Sequence, residues 1–138
     1  MKQVIGMVML VLAITGCQTR PQSALFDDLG GMSGIENIVD GFLVRLGSDP
    51  RIAAHFVDVD PVRFREKLIE QFCAESGGGC EYTGDSMKDS HAGMNVTHTD
   101  FNALVEDLIA AMEAEDVSVS AQNRLLKRLA PMSKDIIE

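Results

Sequence analysis

Apolar residues recur at helical spacing along most of this chain, and no stretch shows the strict alternation of a half-buried strand. Leu25–Gly31 reads as a short helical turn ended by glycines. Behind it, Ile35, Ile38, Val39, Phe42, Leu43 and Leu46 predict an amphipathic helix of about a dozen residues. Ser33 and Glu36 have the spacing of a capping box for its start, and Gly47 is the expected stop. Ser48-Asp49-Pro50 restarts the chain with proline suited to a first helical turn, and a short helix carrying Ile52 ends near His55-Phe56. Asp60-Pro61 opens the next helix, whose stripe is Phe64, Leu68 and Phe72 with Ile69 beside it and Lys67 on the flank. Gly77-Gly78-Gly79 breaks it. Thr97–Asp100 starts a helix with Phe101, Leu104, Val105, Leu108, Ile109 and Met112 on its inner face. Ser118 or Ser120 caps a last helix with Leu125, Leu126, Leu129, Met132 and Ile136 inside, which Pro131 should kink late. The prediction is an all-α domain. Two arrangements satisfy the pattern: inner faces that fill one another as a plain bundle, or inner faces that surround a flat apolar cofactor.

Composition narrows the partners more than the fold. The chain has 138 residues, enough for one domain, with eight Met, one Tyr and no Trp. Its net charge of −9 argues against nucleic acid, which requires a basic surface, and against electrostatic docking on anionic lipids. Membrane contact is therefore left to the N-terminus. Lys2 precedes an apolar run from Val4 to Ile14 that is too short to span a bilayer and matches a signal-peptide core. The run ends in Ile14-Thr15-Gly16-Cys17, which resembles a bacterial lipobox; an ordinary signal anchor with an incidental Cys17 is the alternative. On the lipobox reading, residues 1–16 are removed, Cys17 carries lipid, and residues 17–24 form a polar tether. Export to the periplasmic face follows, and Gln18 in place of an Asp leans towards the outer membrane. Export would also place Cys73 and Cys80 in an oxidising compartment, where they either form a disulfide or remain buried thiols. Their spacing does not fit a zinc site.

The stretch Phe72–Phe101 carries the candidate chemistry. It runs from the end of one helix across the glycines, presents His91, and enters the next helix. Histidine is the commonest metal-ligating side chain, and one imidazole can hold a haem iron from one side, although a lone histidine is more often an ordinary surface or satisfied residue. His98 has no assignable role, and His55 is expected at the surface.

Leu25-x-x-x-Leu29-Gly30-Gly31, then Asp49-Pro50-Arg51, then Gly77-Gly78-x-x-x-Tyr82-Thr83-Gly84 with Met87-Lys88-x-x-His91-x-Gly93 occur in order along the chain. In these motifs, from about Leu25 to Ile136, the sequence resembles the group I truncated haemoglobins. The resemblance implies a shortened globin fold, two helices stacked on two, over residues 25–138, with haem b enclosed and His91 as the proximal iron ligand. It further implies that Phe56 packs on the haem face, that Phe64 and Leu68 occupy distal-helix positions, and that Phe72 lines the inner end of a ligand tunnel. Lys67 matches a basic position able to reach a haem propionate, Val96 and Phe101 match proximal contacts, and Met87 belongs to the haem-contacting His91 block. Leu43 stands at the distal position where the family usually has Tyr, and Leu68 stands where it often has Gln.

Those two replacements remove the usual hydrogen-bond donors and weigh against the family's nitric-oxide dioxygenation. General acid–base work on a bound gas or peroxide needs a polar group within reach; none stands at Leu43, Phe64 or Leu68, and a residue from elsewhere, such as Gln71, would have to supply it. The resemblance thus points to reversible binding of O2, NO or CO, supported by an unidentified reductase. A dioxygenase or peroxidase-like enzyme is the alternative, and a haem-free structural lipoprotein is the reading in which the His91 block has no chemical role.

Overall fold

The computed structural model describes residues 23–138. The expected signal segment, Cys17 and most of the expected tether lie outside the described residues. Helix α1 spans Ser23–Asp28, so the tether's last two residues, Ser23 and Ala24, belong to the first helix. There follow α2 (Gly31–Ser48), a 3-10 turn at Ala53–Phe56, α3 (Pro61–Ser76), α4 (Met87–His91), α5 (His98–Ala114) and α6 (Val119–Leu129). A second 3-10 turn at Ala130–Met132 leads into α7 (Ser133–Ile136). No strand occurs among the described residues. Helix α2 packs on α5 and α3, and α3 packs on α6, which gives the two-over-two arrangement of a shortened globin fold.

The start of α2 differs from the capping-box expectation. Ser33 lies inside the helix and is exposed; the helix begins at Gly31, after Gly30 in the left-handed region (φ 90°) with no side-chain cap. The reason is the tight corner between α1 and α2. The Gly34 N–H donates to the Gly30 carbonyl at 3.2 Å, and a Cβ on Gly34 would lie 2.0 Å from the Leu29 carbonyl oxygen. Helix α1 therefore turns into α2 without room or need for a polar cap. The helix also runs through Gly47 to Ser48, where Asp49 donates its N–H to the Arg45 carbonyl. Pro50 sits in the turn that follows and opens no helix.

The other starts follow the sequence signals. Asp60 accepts from the N–H groups of Val62 and Arg63, with Pro61 as the first residue of α3. Thr97 and Asp100 form a reciprocal capping box on α5, and Ser118 caps α6. Around Pro131 the chain tightens into the 3-10 turn between α6 and α7 while the backbone stays right-handed helical, so the late kink expected at Pro131 takes the form of this tightened turn. Ile35, Ile38, Phe42 and Leu46 from α2, Leu108 and Met112 from α5, and Leu125 from α6 are buried in one core.

The Gly34 contact makes a prediction against ordinary propensity. Alanine normally stabilises a helix interior by about 1 kcal/mol over glycine. Here the added methyl meets backbone, so Gly34→Ala is expected to destabilise the domain by about 1–3 kcal/mol, the usual scale of overpacking. A lower urea midpoint is the expected result; an unchanged or raised midpoint would show that the corner yields.

Candidate functional site

Helices α3, α4, α5 and the C-terminal segments do not fill one another completely. They leave a largely apolar cavity of about 650 Å³, within the range of small-molecule and cofactor sites. Helix α3 contributes Phe64, Leu68 and Phe72, the i, i+4, i+8 stripe legible in the sequence. The Phe56 ring stacks on Phe64 at 5.6 Å, and Phe42 lies 6.5 Å from Phe72, so paired aromatic rings stiffen two parts of the wall. Val96 lines the cavity from the segment before α5, Phe101 from the first turn of α5, and Met87 from α4.

Leu43 is not among the lining residues. It is half-buried and packs against the core, and Phe42 lines the cavity from α2. Consecutive helical residues point about 100° apart, so only one of the two faces the cavity. Phe42, Tyr82, Arg63, Leu126 and Met132 also line the site without having been assigned to it from sequence. Periodicity marks Phe42 and Leu126 as inward-facing, but it does not distinguish a cavity wall from a filled core.

His91 is the last residue of α4, a single-turn helix that the apolar periodicity did not mark. Ser86 caps this helix, accepting from the Asp89 N–H at 3.1 Å and donating to the Asp89 carboxylate at 2.6 Å. The His91 ring lines the cavity, and its Nδ1 lies 2.7 Å from the Met87 carbonyl oxygen. A carbonyl only accepts, so that nitrogen carries the proton and Nε2 keeps a free lone pair. Among the described residues no hydrogen bond occupies Nε2. A neutral imidazole oriented through its other nitrogen is the form that ligates a metal. No group of three His, Cys, Asp or Glu side chains suited to a metal ion occurs among the described residues. The donor set therefore fits an ion carried in by a cofactor that supplies its other ligands.

Besides His91, polar residues of the cavity lining include Arg63, Lys67, Tyr82, Asp85, Gln71, His55 and Asp100. Lys67 donates to Glu70 at 2.9 Å and to Thr83 at 2.7 Å, so this amine both borders the cavity and ties α3 to the loop before α4. The Tyr82 hydroxyl donates to the Asp85 carbonyl, and its ring covers Gly84, where a Cβ would fall 2.3 Å from the hydroxyl oxygen. That contact is a physical reason for glycine in the Tyr-Thr-Gly motif. His55 is half-buried and stands 3.5 Å from Asp100, so it is not the simple surface residue expected; His98 is exposed and lies away from the cavity. The Gln71 amide reaches the sulfurs of Met132 at 3.3 Å and Met87 at 3.7 Å, bridging α3 to α4 and to the C-terminal turn. Cys73 and Cys80 are joined as a disulfide, which ties the buried end of α3 to the far side of the glycine loop.

A shortened helical sandwich closing on an apolar cavity, with a backbone-oriented imidazole in the wall and cations at its polar border, defines a globin-type haem protein. Residues 24–138 match the family described as Bacterial-like globin. Group 1 truncated hemoglobin GlbN of Mycolicibacterium paratuberculosis is 30% identical over 114 residues, covering 83% of this chain and 84% of that protein. The GlbN of Nostoc commune is 30% identical over 115 residues, covering 83% and 98%. The crystal structure of truncated hemoglobin from Tetrahymena pyriformis in its Fe(III) form aligns with a TM-score of 0.79 at 25% identity, over 82% of this chain and 97% of that one. The chain belongs to the bacterial-like globin family, and haem iron is its cofactor.

The tie between α3 and the loop before α4 has a pH signature. The hydrogen bond from Lys67, with that from the Thr83 N–H, holds the Glu70 carboxyl at about 2, below its ordinary 4.5. A carboxyl depressed in the folded state contributes stability above its unfolded pKa and loses it as pH falls through the folded one. The tie is therefore expected to be complete above pH 4.5 and to fail between 4.5 and about 2. Tyr82, the chain's one tyrosine, is a built-in fluorescent reporter of that loop. Acid titration of its emission should show a transition in this window that Glu70→Gln removes; identical titrations would mean the tie does not form in solution.

Proposed function

We propose that this protein binds a diatomic gas, O2, NO or CO, reversibly at a haem iron ligated by His91. The carrying observation is the His91 ring itself, oriented by the 2.7 Å contact to Met87 O and lining an apolar cavity of cofactor size. The haem iron supplies the coordination position for the gas, and the chain supplies orientation, burial and exclusion of water. Phe56, Phe64, Leu68 and Phe72 offer apolar contact to a flat ring system, and Met87, Val96 and Phe101 extend that contact. Lys67 and Arg63 are the cations available to the ring's carboxylates. Absorption spectra of the ferric, ferrous and CO forms test the reading. The wild-type protein should show a Soret band, and His91→Ala should retain little haem; a variant with an unchanged ferrous spectrum would remove His91 from the role.

Binding is favoured over a dioxygenase or peroxidase-like enzyme by the chemistry of the wall. Phe64, Leu68 and Phe72 of α3 are apolar, the Gln71 amide on the same helix is engaged by the sulfurs of Met132 and Met87, and Lys67 is tied to Glu70. A buried donor to a polarised ligand contributes about 1.5–3 kcal/mol, whereas carbon monoxide gains little from one. Oxygen should therefore leave this protein roughly ten- to a hundredfold faster than it leaves a pocket with such a donor. Leu68, which lines the cavity, is the position to restore one. Leu68→Gln is expected to slow O2 release markedly in stopped flow while CO release changes little. If wild-type O2 release is already slow and indifferent to this change, another group supplies the donor and the apolar-wall argument fails.

The proposal extends to location. The lipobox-like Ile14-Thr15-Gly16-Cys17 supports a lipoprotein with its signal segment removed, held by lipid on Cys17 at the periplasmic face, with residues 17–22 spacing α1 from the membrane. No helix of the described residues is long and apolar enough to cross a membrane. Mass spectrometry of the N-terminal peptide from the membrane fraction should find Cys17 diacylated and first in the chain. An unmodified Cys17 would exclude lipidation, and a retained Met1–Gly16 segment would exclude cleavage before Cys17.

A further inference from the structure

The segment that leaves His91 is held from outside the cavity. The backbone N–H groups of Gly93 and Asn95 both donate to the Glu138 carboxylate, one to each oxygen, at 2.9 Å. The Glu138 N–H in turn donates to the carbonyl of Val96, itself a cavity-lining residue, at 3.1 Å. Gly93 and Asn95 have φ of 75° and 51°. Left-handed residues of this kind turn successive N–H groups to one side and create a concavity for an anion. Asn95 is one of two non-glycine residues with positive φ among the described residues, a conformation that persists where its surroundings hold it.

Helix α4 needs such a hold. Its five residues form a single turn, too short to be stable through its own hydrogen bonds. Ser86 pins its N-terminal end. At the other end the His91 carbonyl accepts from Met94 N–H at 3.1 Å, inside the segment that Glu138 clamps, and α7 packs against α4.

We propose that Glu138 is a positioning residue for the haem: its carboxylate latches residues 93–96 and thereby fixes the C-terminal end of α4 and the imidazole of His91. This inference rests on the assignment of His91 as the iron ligand. Glu138 is exposed, so the latch acts on local order and contributes little to global stability.

The experiment uses the full chain with Glu138→Ala, Glu138→Gln and, as a control on the same terminal segment, Asp135→Ala. In the haem-free protein, amide hydrogen exchange at Gly93 and Asn95 should speed up about tenfold in Glu138→Ala, the scale of losing a charge-assisted hydrogen bond. Exchange in the α2 and α5 cores should not change. In the haem-loaded protein, transfer of haem to excess apomyoglobin should accelerate, and the iron–histidine vibration of the ferrous form should shift or broaden. Glu138→Gln, which keeps one acceptor oxygen, should fall between. Asp135→Ala should match wild type. Unchanged exchange and haem transfer in Glu138→Ala, or an equal effect from Asp135→Ala, would overturn the latch while leaving His91 as the ligand. Retention of haem by His91→Ala would instead overturn the ligand assignment on which the latch rests.

Discussion

One hydrogen bond, from the His91 ring nitrogen to the Met87 carbonyl, sets the requirement that the surrounding structure meets. It chooses the tautomer, leaves the far nitrogen with its lone pair, and fixes the plane in which that pair points. Because donor and acceptor belong to the same single-turn helix, the orientation is only as good as the placement of that turn. Much of what lies between α3 and α5 can be understood as placing it: the Ser86 cap at one end, the Gln71 amide reaching Met87 from α3, and the Tyr82 ring folded over Gly84 in the approach.

A second constraint opposes the first. The hydrophobic effect favours filling any apolar cavity, and this one, at about 650 Å³, is of a size to take a cofactor. Rigid parts give it its shape. Phe42 and Phe72 pack at one part of the wall, Phe56 and Phe64 stack at another, and the disulfide holds the end of α3 to the loop beyond the glycines. A Cβ at Gly78 would fall 2.4 Å from the Phe26 ring and 2.7 Å from the Cys73 sulfur, so the glycine loop closes tightly over α1 and the disulfide. The buried core adjoins the cavity, and Phe42, Ile52, Phe72 and Leu108 belong to both.

Ionic groups mark the border of the cavity more than its interior. Lys67 lies 2.9 Å from Glu70 within α3, Arg63 lies 3.4 Å from Asp85, and the His55 ring lies 3.5 Å from Asp100. The Arg63–Asp85 pair, with the bonds of Lys67 and Glu70 to Thr83, ties α3 to the loop before α4, and the His55–Asp100 contact joins the turn after α2 to the start of α5. The pairing also explains why the α3 wall has little acid–base character although titratable residues are near.

The sequence by itself determined the helices and most of their ends, because these depend on local chemistry: the Asp60-Pro61 start, the Thr97/Asp100 box, the Ser118 cap and the Gly77 stop. It also marked His91 and the apolar stripe of α3 through motifs whose spacing is visible in one dimension. Where local signals conflicted with tertiary contact, tertiary contact won. Ser33 lost its cap role because Gly34 packs on the Leu29 carbonyl. The choice of Phe42 over Leu43 as cavity wall, the short helix under His91, and the reach of Glu138 back to Gly93 across 45 residues were all decided in three dimensions. Each depends on which neighbour a side chain meets, and periodicity reports only that a residue faces inward, not whether it meets another side chain or a space kept for a cofactor.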